Sequence, residues 1–198
     1  MNTRKERLAQ WARDLLSREF VIFDVETTGL DYDWDRIVQI GVIDHTGKVL
    51  LDTLIKPCVH IPPEATQIHG ITNEMVKDAP TFGEIHPSLF EALNYRVWVC
   101  YNLDFDRGFL VEECARHNLR PPLPSLWADT DPAQRREMYC AMSAYAAFWG
   151  EQRWSGGYKW QRLTDACAQQ GIEVNGAHSA VGDCLMTLAL LNKMAGVE

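Results

Sequence analysis

The stretch FVIFDVETTGLD, residues 20–31, decides how the chain folds. It opens as a buried strand and then sets Asp24 and Glu26 one residue apart inside the apolar run. Residues i and i+2 of a strand project to the same face, so the two carboxylates stand side by side while Val21, Phe23 and Val25 face the other way. Adjacent negative charges repel, and burying either without a counter-charge is costly. The pair therefore calls for cations, for protonation, or for solvent where the strand ends at Thr27-Thr28-Gly29. The remaining sequence chooses among these.

Working outward, Leu8, Trp11, Leu15 and Leu16 recur at helical spacing, which predicts an amphipathic helix over 4–18, packed as an N-terminal element (1–19) on a single domain over 20–198. Residues 20–56 read as a three-stranded meander, its second and third strands joined by the turn at HTGK. Thr81 and Glu84 form the signature of a capping box, predicting a helix to about Asn94 with a kink at Pro87. VWVCYN reads as a buried strand, followed by a helix over 105–117. LWAD is expected to be a short strand, Asp131-Pro132 to start a long helix through Phe148, and helices near 161–170 and 180–195 to end the chain. This order gives one α/β domain with a mixed sheet.

With 198 residues and 46% hydrophobic content the chain has room for one well-buried domain. No apolar run reaches the roughly 20 residues that span a bilayer, and the charged N-terminus encloses no apolar signal core, so a cytoplasmic protein without a membrane partner is expected. The six cysteines form no C-x-x-C pair, which suits reduced, mostly buried thiols. A formal charge of −8 argues against coating of long nucleic acid by blanket electrostatics, but leaves local binding at a strand end open.

Two further apolar elements deliver acids. Residues 97–110, VWVCYNLDFDRGFL, run a buried strand into Asp104 and Asp106; the last helix carries Asp183 among Val181, Leu185, Met186 and Leu188, with His178 before it. Five helical residues turn through about 500°, so His178 and Asp183 cannot share a face if both are helical, and His178 belongs to the loop or first turn. Acids gathered from three distant elements suit Mg²⁺ or Mn²⁺ held by oxygen ligands. Taken one at a time, each acid could equally serve a local cap or ion pair.

Asp24-x-Glu26, Asn102-x-x-Phe105-Asp106-x-x-Phe109-Leu110 and His178-x-Ala180-x-x-Asp183 resemble the three exonuclease motifs of the DEDDh 3′→5′ exonucleases, a group that includes the proofreading epsilon subunit of bacterial DNA polymerase III. The ETTGL form of residues 26–30 and the Ile68-His69-Gly70-Ile71-Thr72 stretch resemble the epsilon-type branch. The resemblance runs from about residue 20 to 195 and implies a ribonuclease-H-like fold, a mixed five-stranded sheet flanked by helices. It implies that Asp24, Glu26, Asp106 and Asp183 hold two Mg²⁺ or Mn²⁺ ions, and that Asp104 is a helix N-cap or solvated. Tyr101 stands where many members have histidine and Leu103 where a smaller residue is common, implying altered packing beside the site.

The implied reaction is metal-dependent hydrolysis of phosphodiester bonds from 3′ ends, releasing nucleoside 5′-monophosphates, with His178 as general base. As a lone histidine it could equally cap the helix. Thr27, Thr28, Gly29 and Leu30 are placed to contact the terminal nucleotide, with Leu30 wedging the base, although a plain turn is the other reading; His69, Asn102 and Phe105 join them as substrate-binding candidates. RWSGGYKWQR, residues 153–162, reads either as a single-strand stacking platform or as aromatic cover over the core. The expected partner is a nucleic acid 3′ end, single-stranded DNA favoured over RNA. An RNA-trimming exonuclease and a non-catalytic nucleic-acid-binding or polymerase-interacting module are the alternatives.

Overall fold

The computed structural model describes residues 3–94, 96–122, 137–174 and 176–196. Helix α1 (Arg4–Leu16) starts at a capping box: the Thr3 hydroxyl accepts from the Glu6 N–H, and the Glu6 carboxylate accepts from the Thr3 N–H. It ends two residues before the expected limit, with Ala12 and Leu15 buried. Strands β1 (Phe20–Thr27), β2 (Ile37–Asp44) and β3 (Val49–Leu54) follow as the expected antiparallel meander.

Two short helices not foreseen from the sequence come next, α2 (Pro63–His69) and α3 (Asn73–Val76), and His69 ends the first of them. Ala65, Ile71 and Val76 from this region bury Val38 and Ile61 in a small separate core. Helix α4 (Phe82–Leu93) begins at the expected box, the Glu84 carboxylate accepting the Thr81 N–H at 2.7 Å, and continues through Pro87. Strand β4 (Val97–Cys100) leads into α5 (Leu103–Arg116), which begins two residues earlier than expected. Asn102 occupies the N-cap, so Asp104 is not the cap; it lies exposed in the first turn.

The LWAD segment and the expected helix start at Asp131-Pro132 lie outside the described residues. Within them, the fifth strand is β5 (Met138–Cys140), on a stretch expected to be helical, and α6 (Ala141–Trp149) starts only after it. The open edge of β4 explains the difference: Trp98 donates to the Glu137 carbonyl at 3.0 Å, and Val99 pairs with Tyr139 in parallel register. Helices α7 (Leu163–Gln169) and α8 (Ala180–Ala195) match expectation within two residues at each end. The sheet order is β3-β2-β1-β4-β5, with β1 antiparallel to β2 and parallel to β4, giving the mixed five-stranded sheet.

The alternation of β1 sorts the core into two layers. Phe20 and Ile22 pack with α1, α6, α7 and α8, among them Leu190, Leu191 and Met194, while Val21, Phe23 and Val25 pack with α4 and α5 through Leu89, Phe109 and Leu110. Asp24 and Glu26 continue the first series and so point to the α8 side. Cys100, Cys114, Cys167 and Cys184 are buried free thiols. Among the described residues no helix is long and apolar enough to cross a membrane.

Candidate active site

Asp24 pairs with Gly41 and Glu26 with Gln39 across the β1–β2 ladder. Gly41 lets α8 come close: a Cβ there would lie 2.6 Å from the Val181 nitrogen and 2.7 Å from the Ala180 carbonyl carbon, both backbone atoms that cannot swing aside. Gln39 completes the docking by accepting the Ala180 N–H at 3.2 Å. Asp183, one turn into α8, is thereby carried to the two strand carboxylates. Asp24, Glu26 and Asp183 each offer an oxygen within 4.8 Å of the others, a spacing that a divalent cation can bridge.

Asp106 arrives from the opposite layer, in the first turn of α5. It is only 2% exposed; its Oδ1 accepts the Val25 N–H at 3.3 Å, and its Oδ2 is buried without a hydrogen-bond partner. An orphaned carboxylate oxygen beside three more acids fits a cation ligand. Burial raises all four acids, and neighbouring acids add to the rise at Asp24, Glu26 and Asp106. Burial first, then Asp106, Asp183 and Glu26, pushes Asp24 well above the carboxylate range. Burial, then Asp183, lifts Glu26 to about 8. Asp106 is pushed well up by burial, with the Val25 N–H opposing and Glu26 and Asp183 adding to the rise, and burial raises Asp183 against a hydrogen bond from the His178 N–H. Of the choices opened by the strand pair, plain solvent exposure fails because Asp24 and Glu26 are both partly buried, and the set is electrically incomplete without protons or cations.

His178 stands exposed just before α8, with φ at 64°, a left-handed conformation rare for a non-glycine residue. Its backbone N–H donates to Asp183 Oδ1 at 3.1 Å, tying the turn to the acid. The N-cap of α8 is Ser179, whose hydroxyl accepts the Gly182 N–H at 3.2 Å, so His178 is not the helix cap. The acids line a pocket of about 170 Å³ with Asn102, Phe105 and His178. Asn102 makes no side-chain cap bond to α5, leaving that terminus to backbone contacts.

A second pocket, of about 560 Å³, adjoins through Glu26 and Phe105 and is lined by Thr27, Thr28, Gly29, Leu30 and His69. The two threonine hydroxyls are engaged inside the loop, Thr27 with the Gly29 carbonyl at 2.6 Å and Thr28 with Asp35 at 2.8 Å, so it is the chain around them that faces the space. Leu30 projects from that loop, 82% exposed. His69 accepts the Ile71 N–H on Nδ1 at 3.0 Å, which leaves Nε2 to carry the proton in the neutral ring; burial lowers its pKa, with the Thr27 backbone opposing and His178 adding to the fall. The structure thus gathers every candidate residue around two joined pockets. It also adds Glu64 and Ile68 from α2, which were missed because that helix was not foreseen. Pro63 in its first turn and Gly70 at its end, with φ at 74°, were the available signal. Tyr101 is buried, its hydroxyl donating to the Gln161 carbonyl at 2.7 Å, and so ties the site's rim to the segment before α7.

Comparison with known protein families matches the exonuclease family over residues 21–191. An uncharacterized exonuclease of Escherichia phage 186, CP81, is 38% identical over 98% of this chain and 97% of its own length. The DNA polymerase III subunit epsilon of Treponema pallidum is 31% identical over 88% of this chain and 75% of its own. Among solved structures, E. coli exonuclease I in complex with a dT13 oligonucleotide superposes with a TM-score of 0.68 at 22% identity, over 87% of this chain; the chain spans 40% of that protein.

Proposed function

This chain belongs to the exonuclease family and is a 3′→5′ exonuclease of the DEDDh type, and from that premise we propose that it shortens DNA from its 3′ end, releasing nucleoside 5′-monophosphates. The observation that carries the reading is the convergence of Asp24, Glu26 and Asp183 on one point, with the unpartnered Oδ2 of Asp106 buried beside them. In this reading the four acids hold two Mg²⁺ or Mn²⁺ ions. When bound, these would polarise the phosphoryl group, make a water acidic and offset charge on the departing 3′-oxygen. The protein's own part is to hold four mutually repelling carboxylates together, on one strand and two helices whose packing fixes them.

His178 takes the proton of the attacking water. It is exposed at the mouth of the acidic pocket, its backbone is locked by Asp183, and a neutral imidazole carries a ring nitrogen able to accept that proton. The terminal nucleotide occupies the larger pocket, its base against Leu30 and Phe105, with the backbone of residues 27–29 and His69 around the sugar. DNA is favoured because the Treponema relative is a DNA polymerase subunit by name. Digestion of matched 5′-labelled DNA and RNA, single-stranded and duplex, in Mg²⁺, Mn²⁺ or chelator tests this. Stepwise 3′ shortening of DNA that requires metal is expected; RNA alone being shortened would replace the substrate, and activity in chelator would remove the metal reading.

A further inference from the structure

We infer that residues 151–162 receive the single strand behind the terminal nucleotide, with Trp160 and Arg162 forming a wall of its path and Trp154 extending that wall. The inference rests on the exonuclease reading above and names the part of the substrate that the acidic pocket does not reach.

The segment is an ordered hairpin. Gln152 bridges Tyr158, Arg153 donates to the Gly157 carbonyl at 3.1 Å, Lys159 donates to the Glu151 carbonyl at 2.9 Å, and Gly156 and Gly157 make the turn with φ at 89° and 75°. Its root is fastened on three sides. Lys159 pairs with Glu151 at 2.9 Å, the Arg4 guanidinium lies 4.3 Å over the Tyr158 ring, and Tyr101 holds Gln161.

An ordered hairpin with buried aromatics would be core cover. Here Trp154 is fully exposed and Trp160 is 57% exposed, so neither covers the core. Leaving two indoles in water is unfavourable and marks a binding surface. Arg153 sits 4.5 Å over the Trp160 ring and fixes that indole, while the exposed Arg162 adds positive charge on a chain of net charge −8. Flat aromatic faces interleaved with cations match bases and phosphates of an unpaired strand, and stacking of this kind tolerates any base.

Position completes the argument. Trp160, Arg162 and Leu30 line one cleft of about 670 Å³, which shares Asn102, His178 and Asp183 with the acidic pocket. A strand whose end lies at the acids leaves through this cleft.

The test uses the full chain and oligothymidylates of two and twelve nucleotides. In chelator, the dodecamer should quench tryptophan emission, and Trp160→Ala should weaken its binding by about tenfold or more. In Mg²⁺, the ratio of kcat/KM for the dodecamer to that for the dinucleotide should fall by a similar factor in Trp160→Ala, less in Trp154→Ala, and recover in Trp160→Phe, which keeps a stacking face. Unchanged emission, or an unchanged ratio in a folded Trp160→Ala, overturns the inference. If the wild-type chain shortens no strand from its 3′ end, the exonuclease reading falls and takes this one with it. If it shortens both lengths equally well, only this inference falls.

Discussion

Among the described residues, two regions bury carboxylates, and they treat them oppositely. Glu113, 2% exposed near the far end of α5, is lifted by burial, but the Ile37 N–H, Arg116, Arg36 and His117 all pull it back, with Arg116 and His117 nitrogens 3.8 and 3.6 Å from its oxygens. At the strand ends, every charged side chain acting on Asp24, Glu26 and Asp106 is another acid, and His178 alone opposes at Asp183. A carboxylate that serves the fold brings its counter-charges with it. One that serves chemistry leaves them to be supplied from outside, and the proposed function assigns Asp24 and Glu26 to this second kind.

The strongest way to break the comparison is to neutralise one acid of the uncompensated group. Asp106→Asn should lower turnover by roughly 10³-fold or more, the scale of losing a charge aligned with the transition state, while its melting temperature in chelator holds or rises because repulsion is relieved. Asp104→Asn, two residues away in the exposed first turn, should keep most of the rate. Equal losses in the two variants would show that the second motif is misassigned.

His178→Ala comes next, with an expected loss of about 10² to 10⁴ in single-turnover rate. Because Ser179 holds the cap, stability should barely change, and relief of the left-handed φ would be seen as a slight gain in His178→Gly. Ser179→Ala is the counterpart: about 1 kcal/mol less stable, a melting temperature lower by a few degrees, and a rate much less affected. A His178→Ala enzyme with near-normal cleavage sinks the general-base assignment.

Metal and pH sharpen the contrast further. Burial and Asp183 raise Glu26 from 4.5 to about 8, so between those values the folded chain holds a proton that the unfolded chain has released. Its contribution is therefore present below pH 4.5 and is lost as pH rises toward 8. In chelator, melting temperature should fall over that window. Added Mg²⁺ should restore it, by more at pH 8 than at pH 5, because the bound ion replaces the proton. A metal-induced shift of the same size at both values would argue against cation binding at these acids.

Much of this was legible in the sequence, and the exceptions share a cause. The β1 alternation and the α8 boundaries follow from local patterns that the fold does not override, whereas the choice of Asp106 over Asp104 comes from the resemblance to the family motif. Helix α2 was missed although Pro63 and Gly70 mark its ends, because at seven residues it is too short for periodicity to show. Strand β5 was read as helix because its three residues are held by the edge of β4, a partner that lies far away in sequence. At the site, side-chain identity revealed the acids but not that Gly41 makes room for Asp183, nor that Tyr101 leashes the aromatic hairpin. Those are facts of approach between elements, which a pattern along one chain does not encode.

The smallest expected effect belongs to the compensated acid. Glu113→Gln keeps the shape and an oxygen to accept the Ile37 N–H, now 3.4 Å from Glu113 Oε1, but turns an amide toward Arg116 and His117. Losing those attractions is unfavourable; losing a buried charge is favourable. The two oppose each other, with burial the larger influence on Glu113, and stability near pH 7 should stay within about 1 kcal/mol of wild type, about 2 to 4 °C in melting temperature for a chain of this size. The sign of the small residue depends on pH. A raised acid stabilises the fold least once it is ionised, so the variant should gain on the wild type as pH climbs above the ordinary glutamate range. Turnover should stay within about twofold, since Glu113 lies on the other side of the sheet from Asp183, and Mg²⁺ should shift the melting of variant and wild type alike. Melting curves at pH 5 and 8 with cleavage rates on the same preparation decide it. A Glu113→Gln enzyme as inactive as Asp106→Asn would mean that the two buried acids do one job, and that the presence of counter-charges does not separate a structural carboxylate from a catalytic one.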